Sequence, residues 1–224
     1  MSDLSGHGPL VLALPSSSEE LGLGLQPLRP AADLPVAAGR RLARHSLGRA
    51  LSNHLLTCLE ELLPAADWPR IGRLAVATGP GGFTGTRLTV VLARTLAQQL
   101  RVPLDGPSSF LLIARRLQAA GQADGAAGPG FWLVQDLPRR GLVAGLYGRE
   151  NGAMVERLVP RLVADRAALT ALAPSVTSVH SGDVMLPDDV VQLLDCSLEA
   201  EAAGRPGPWA PVLPLYPTSP VGAV

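Results

Sequence analysis

Hydrophobic residues come first as two short runs, Leu10 to Leu14 and Leu21 to Leu25, on either side of the polar stretch PSSSEE. Short apolar runs bounded by turn formers read as strands, so the chain is expected to open with a hairpin. The stretch LQPLRPAADLPVAAG, residues 25 to 39, holds three prolines and is expected to be an extended connection. From Ser46 the period changes. Leu47, Leu51, Leu55, Cys58, Leu59 and Leu62 recur mostly at steps of three and four, which predicts an amphipathic helix stopped by Pro64. RLAVATGPGG then reads as a buried strand entering a glycine loop, and FTGTRLTVVLARTLAQQL as a helix ending before Pro103.

Phe110 to Ala120 predicts a further helix, with Ser108 or Ser109 as its cap, and GQADGAAGPG a flexible joint. FWLVQD, GLVAGLYG and AMVERLV read as three consecutive strands, followed by a helix over Ala164 to Leu172, a strand in VTSVHSG and a last helix near Asp188 to Leu198. The tail GRPGPWAPVLPLYPTSP has six prolines and is expected to pack as an extended arm. A boundary is expected near residue 105, dividing an N-terminal lobe, 1–105, with the glycine loop, from a C-terminal lobe, 106–224. No internal period points to a repeat architecture.

Composition narrows the function classes. The 224 residues are 47% hydrophobic and 17% charged, enough for one large core or two small ones. Nineteen basic residues balance nineteen acidic ones, so no overall positive field gathers nucleic acid; contact with it needs a local patch or a partner. Every basic residue is arginine, which excludes a Walker lysine and any lysine Schiff base. Two cysteines, Cys58 and Cys196, make no disulfide framework, and a reducing cytoplasm is expected. The first apolar run is too short for a secretory core or a membrane span.

The stretch GPGGFTGTR, residues 79 to 87, carries the most specific order in the chain. A dinucleotide fingerprint would need glycine where Thr84 stands, a Walker loop would need lysine where Gly85 is followed by Thr86 and Arg87, and a nucleophile elbow would need a serine between its glycines. What remains is a strand-to-helix turn whose glycines permit positive φ, followed by free amides at a helix N-terminus, a place that attracts anions or merely caps and packs the helix. That helix has two stripes at i, i+4 spacing. Leu88, Leu92 and Leu96 are expected to face the core. Gly85, Thr89, Ala93 and Ala97 form a small-residue stripe that admits a second helix, from the same chain or another one, while Arg87, Arg94, Gln98 and Arg101 lie toward the polar side.

The order LAVATGPGGFTGTRLTVVLARTLAQQLRVPLDGPSSF resembles the bacterial TsaB (YeaZ) family, with Gly79, Pro80, Gly81, Phe83, Thr84, Gly85 and Arg87 on its glycine-loop pattern and Gly82 in place of a serine. The likeness is specific over about residues 50 to 115. It implies an α/β fold of two ribonuclease H-like lobes of the actin-like ATPase superfamily. It also implies a dimerisation subunit of the machinery that puts N6-threonylcarbamoyl on adenosine 37 of tRNA, glycoprotease-like but not itself the transferase. Such a subunit pairs through its first two helices with a catalytic, metal-containing TsaD-like relative; a small TsaE-like ATPase joins the pair, and tRNA is met through the complex. A homodimer is expected for the chain alone, with no membrane association. Leu51, Leu55, Gly85, Thr89, Ala93 and Ala97 are the expected interface. No catalytic residue, cofactor or metal is assigned to this chain, and a nucleotide at an interface of the complex is left open. The chain departs from the family at Pro15, where an aspartate is usual, after Asp136, where LPRRGLV leads to no matching glutamate, and at Tyr216, Pro217 and Thr218, which replace Tyr-Leu-Arg.

Other chemistry is thinner. HSGD, His180 to Asp183, puts a histidine, a serine and a carboxylate together at a strand end, and supports the alternative of a free-standing glycoprotease-like hydrolase. A diverged homodimeric scaffold is a further alternative. His7, His45 and His54 show no His-x-x-x-His or cysteine pair for a metal, and Asp136 and Asp183 read as turn formers. Arg115, Arg116, Arg139 and Arg140 are either a phosphate-binding patch or a solvated surface. Trp68, Trp132 and Trp209 are too scattered for base stacking.

Overall fold

The structure, a computed structural model, describes residues 8–16, 19–29, 35–123 and 128–217. His7, Ser17 and Thr218, and parts of the connection at 25–39 and of the joint at 121–130, lie outside these residues. Strands β1 (Leu10–Leu14), β2 (Glu20–Pro27) and β3 (Arg41–Ser46) form an antiparallel meander, and β4 (Ile71–Val76) and β5 (Leu104–Asp105) extend it in parallel, giving the order β3-β2-β1-β4-β5. A second sheet repeats the plan with β6 (Phe131–Leu137), β7 (Gly141–Glu150), β8 (Ala153–Val163) and β9 (Val179–Ser181) in the order β8-β7-β6-β9, β9 lying parallel to β6. This is the mixed α/β architecture of two sheets that the sequence led us to expect. The opening hairpin, the strand before the glycine loop and the three consecutive strands fall where expected.

The helices are α1 (Leu51–Leu62), α2 (Phe83–Leu100), α3 (Ser109–Ala119), α4 (Arg166–Leu172) and α5 (Asp188–Ala202). Two local features depart from the periodicity. Strand β3 has the sequence RLARHS, whose inner face carries Arg41, Ala43 and His45 and whose outer face carries Leu42, so the hydrophobic alternation is absent. Helix α1 begins at Leu51 rather than near Leu47, because Gly48 takes a φ of +47° and a 3-10 turn spans Gly48–Ala50. Ser108 caps α3, accepting a hydrogen bond from the Leu111 amide at 3.0 Å.

The layers follow from which faces are apolar. One face of the first sheet, with Leu12, Leu14, Leu21 and Leu23, packs on α1 and α2; the other, with Val11, Ala13 and Ala75, packs on α5 and on Leu112 of α3. The opposite side of α3, with Phe110, Ile113 and Leu117, packs on Phe131, Leu133 and Tyr147 of the second sheet, whose far face is covered by Leu169 of α4. Helix α5 approaches β2 closely because glycines lie beneath it: a Cβ on Gly24 would stand 2.6 Å from Val190 Cγ1, and one on Gly22 2.6 Å from Val190 Cγ2. Thus α5, which follows residue 105 in sequence, completes the core of the first sheet.

A buried ionic node ties β4, β5 and α5 together. The Arg73 guanidinium, 1% exposed, donates to both Asp105 carboxylate oxygens at 2.7 and 2.9 Å and to the Arg205 carbonyl at 3.1 Å, while Ser197 Oγ donates to Asp105 Oδ2 at 2.7 Å. Arg116 of α3 pairs with buried Asp189 of α5 at 2.8 Å, and the second Asp189 oxygen accepts from the Met185 amide at 2.7 Å. Each charge is therefore multiply hydrogen-bonded, which is the condition for burying it.

Candidate functional site

The glycine loop is held from both sides. Leaving β4, Thr78 donates through its amide and its hydroxyl to the Pro107 carbonyl at 3.0 and 3.1 Å, and the Gly79 carbonyl accepts from the Ser109 amide at 2.7 Å. From the tail, the Leu215 amide donates to the Thr78 carbonyl at 2.7 Å. Gly79 has a φ of +105° and a Cβ there would meet the Leu215 carbonyl at 3.1 Å, so both its conformation and its surroundings call for glycine. A Cβ on Gly81 would lie 3.2 Å from Thr86 Oγ1 and 3.4 Å from the Ser16 carbonyl. Gly82 is extended at the N-cap of α2 and offers no side-chain cap, and its carbonyl accepts from the Thr86 amide at 2.9 Å.

The tail covers the loop. Tyr216 stacks on Phe83 with ring centroids 5.1 Å apart, and the Arg94 guanidinium lies over the Trp209 ring while donating to the Ala210 and Val212 carbonyls at 2.9 and 2.6 Å. A cavity of about 90 Å³ remains between Pro80, Gly81, Phe83 and Thr86 of the glycine loop and α2 and Gln135 and Leu137 of β6. Thr84 and Arg87 face solvent, whereas Gly85 and Thr86 are buried, and Thr86 Oγ1 meets no hydrogen-bond partner among the described residues. Pro15, which follows β1, lacks an amide proton, and its carbonyl accepts from the Gly22 amide of β2 at 2.9 Å.

The expected interface requires a correction. Thr89, Ala93 and Ala97 are each 0% exposed, Gly85 is buried, and Leu51 and Leu55 are also buried. Ala93 and Ala97 share one cluster with Leu51 and Leu55 and with Leu12, Leu14, Leu74 and Val76 of the first sheet. The small stripe lets α2 lie close to its own sheet; it presents nothing outward. Thr89 keeps its hydroxyl satisfied there by donating to the Gly85 carbonyl at 3.1 Å. The leucine stripe does pack on the core: Leu96 is buried, and Leu88 and Leu92, half-buried, lie against it at its edge.

What α1 and α2 present to solvent is a different set. Leu56 and Val91 are each 54% exposed and Phe83 is 45% exposed, with Ser52, Asn53, Thr84, Arg87 and Thr95 around them. A groove of about 610 Å³ runs between the starts of the two helices, past Arg49, Ser52, Gly82 and Thr84. Periodicity marks such residues only as off the core face; a solvent-facing leucine and valine could have been noticed at Leu56 and Val91 as apolar residues on the polar side of each helix.

The remaining motifs come apart or turn inward. Ser181 Oγ donates to Asp183 Oδ2 at 2.6 Å, while His180 Nε2 lies 3.0 Å from Ser178 Oγ and its ring meets the edge of Phe131. Successive residues of a strand point to opposite faces, so no serine-to-histidine hydrogen bond forms within HSGD. Arg115 and Arg116 are engaged by Glu199 and Asp189, while Arg139 and Arg140 stand exposed at the β6–β7 turn. Asp136 is exposed. Trp132 is buried, Trp68 donates to the Leu63 carbonyl, and Trp209 lies beneath Arg94. A polar cluster that the sequence did not suggest joins Ser108, Tyr147 and Glu156: Glu156 Oε2 accepts from Tyr147 at 2.7 Å and from Ser108 at 2.5 Å. Burial, reinforced by the Glu156 charge, pushes the Tyr147 phenol well above its usual range, so it stays a donor.

Comparison with known proteins adds sequence and fold likeness. The family described as "TsaD: tRNA N6-adenosine threonylcarbamoyltransferase" matches residues 45–150. Over 90 residues the chain is 37% identical to the tRNA threonylcarbamoyladenosine biosynthesis protein TsaB of Bacillus subtilis (strain 168). That match covers 40% of this chain and 36% of the relative, so the chain aligns with little more than a third of that protein's length. Among solved structures, YeaZ from Pseudomonas aeruginosa superposes with a TM-score of 0.66 at 18% identity, covering 92% of this chain and 100% of that one. A second Pseudomonas aeruginosa structure, described as similar to the peptidase YEAZ, gives 0.65 at 18% identity over 94% and 100%. These two establish a shared fold across nearly the whole chain.

Proposed function

We propose that this chain, a member of the TsaB (YeaZ) family, is a non-catalytic subunit in the N6-threonylcarbamoylation of adenosine 37 of tRNA, where it binds and positions a catalytic TsaD-like relative. The observation that carries the reading is the outward apolar face of α1 and α2, with Leu56, Phe83 and Val91 open to solvent beside half-buried Leu88 and Leu92. Both helices fall inside the stretch matched by the transferase family. The sheet beneath them supplies rigidity, since the small stripe of α2 is locked against it. Exposed leucine, valine and phenylalanine side chains on two neighbouring helices gain the most from being covered by another helical surface. On this reading a small TsaE-like ATPase joins the pair, tRNA is reached through the complex, the same face serves a homodimer when the chain is alone, and any nucleotide sits at an interface of the complex.

Co-purification with the TsaD-like protein of the same genome tests the proposal. Leu56→Glu with Val91→Glu places two charges on the face, and should abolish the complex while leaving thermal unfolding of the isolated chain within a few degrees, because both positions are exposed. Undiminished assembly of that double variant would refute the assignment of this face. Ala93→Leu, by contrast, acts inside the core and should lower stability before it affects binding.

A further inference from the structure

Away from this face, β3 and α1 bring together three side chains of different chemistry. His45 lies on the inner side of the edge strand β3; Cys58 and Glu61, three residues apart, lie on the side of α1 that faces it. A nitrogen of His45, the Cys58 sulfur and a Glu61 carboxylate oxygen all lie within 4.8 Å of one another. The Nε2 atom of His45 is buried and has no hydrogen-bond partner among the described residues, on the same ring that brings a nitrogen within 4.8 Å of the thiol and the carboxylate. A buried, unmatched ring nitrogen is costly, and directing it at a metal ion removes that cost. The cluster lines a groove of about 340 Å³ between Arg41, Leu42 and Ala43 of β3 and Leu62 of α1.

We propose that His45, Cys58 and Glu61 form a zinc-binding site whose fourth coordination position opens onto this groove. One imidazole, one thiolate and one carboxylate are the donors that zinc takes, and a site with three protein ligands keeps a position for water. Zinc bond lengths of about 2.0 to 2.3 Å imply donor separations on the order of 3.5 Å, so closure from the present spacing needs roughly 1 Å of side-chain movement. Cys58 releases its thiol proton to solvent on binding. The resulting thiolate and the Glu61 carboxylate neutralise the dication, so Arg41 at the rim faces no net positive charge. Bound metal joins the edge strand to α1 and leaves the opposite, partner-facing sides of α1 and α2 untouched; the inference does not depend on the tRNA reading.

The test uses the full chain, purified without a tag and equilibrated with zinc. Elemental analysis after dialysis is expected to find one zinc per chain, and cobalt substitution is expected to give thiolate-to-cobalt charge-transfer absorption. Cys58→Ser, His45→Gln and Glu61→Gln should each weaken zinc binding by at least about 10- to 100-fold, the loss that follows removal of even an outer partner of a metal ligand. Glu61 is exposed, so Glu61→Gln leaves folding intact even if Cys58→Ser does not. His54→Gln and Cys196→Ser should leave binding unchanged. Failure to retain zinc, retention in the three ligand variants undiminished from the parent protein, or a cobalt spectrum without the thiolate band would each overturn the site.

Discussion

Arg73→Met removes the cation from the node between β4, β5 and α5 and leaves Asp105 facing an apolar side chain. Arg73 is 1% exposed and the Asp105 side chain 16%, so water offers little compensation. Removing one partner of a buried pair costs about 3 to 5 kcal/mol. The lower end applies, because Asp105 still accepts from Ser197 Oγ at 2.7 Å and retains some solvent contact. For a chain of this length about 3 kcal/mol corresponds to a fall in Tm of roughly 6 to 12 °C. Adding Asp105→Asn discharges the stranded carboxylate while keeping an acceptor for Ser197, and the double variant should recover much of the loss. Thermal and urea unfolding followed by circular dichroism, assembled into a double-mutant cycle, read the coupling directly. A loss under about 1 kcal/mol for Arg73→Met, or a double variant no more stable than the single one, would show that desolvated charge is not what holds this node.

Gly24→Val should cost about 1 to 3 kcal/mol in urea unfolding, since a Cβ would stand 2.6 Å from Val190 Cγ1 and 2.9 Å from Leu194 Cδ1; an unchanged midpoint would mean that α5 does not lie as close as described. Burial pushes the Cys196 thiol up to about 12, so native protein should resist iodoacetamide at Cys196 near neutral pH and react there only on unfolding, as peptide mapping by mass spectrometry would show. The hydrogen bond from Arg29, together with the Arg73 charge, holds the Glu201 carboxyl below its ordinary value of 4.5. A lowered folded value means that the contribution is present above about pH 4.5 and is lost as pH falls through the folded value, so Glu201→Gln should lower stability at neutral pH, and the two profiles should converge as pH falls through the folded value.

Most of the secondary structure was legible, in the helices because burial on one face imposes a period. Helix α1 and helix α2 carry such a period, whereas β1, β2 and β4, buried on both faces, were legible as short apolar runs bounded by turn formers, and Ser108 announces α3 through its cap. Strand β3 was not legible, since an edge strand is half-solvated and its inner face carries Arg41 and His45 where an apolar alternation would be needed. The glycine loop was legible in order and conformation: Gly79 does take positive φ. The orientation of α2 was not. A stripe of small residues is equally suited to a second helix and to the protein's own sheet, and nothing local distinguishes the two.

By itself, then, the order of residues placed most of the elements but not β3 or β5, and showed that the chain has no lysine chemistry and which family its glycine loop resembles. Tertiary packing alone decided that Thr89, Ala93 and Ala97 lie against the sheet while Leu56 and Val91 look outward, that Ser181 turns to Asp183 instead of His180, and that His45 meets Cys58 and Glu61 across two elements. The reason is the range of the forces involved. Periodicity and capping act between residues a few positions apart, whereas the face a helix buries and the side chains a strand meets are set by close packing between segments far apart in sequence.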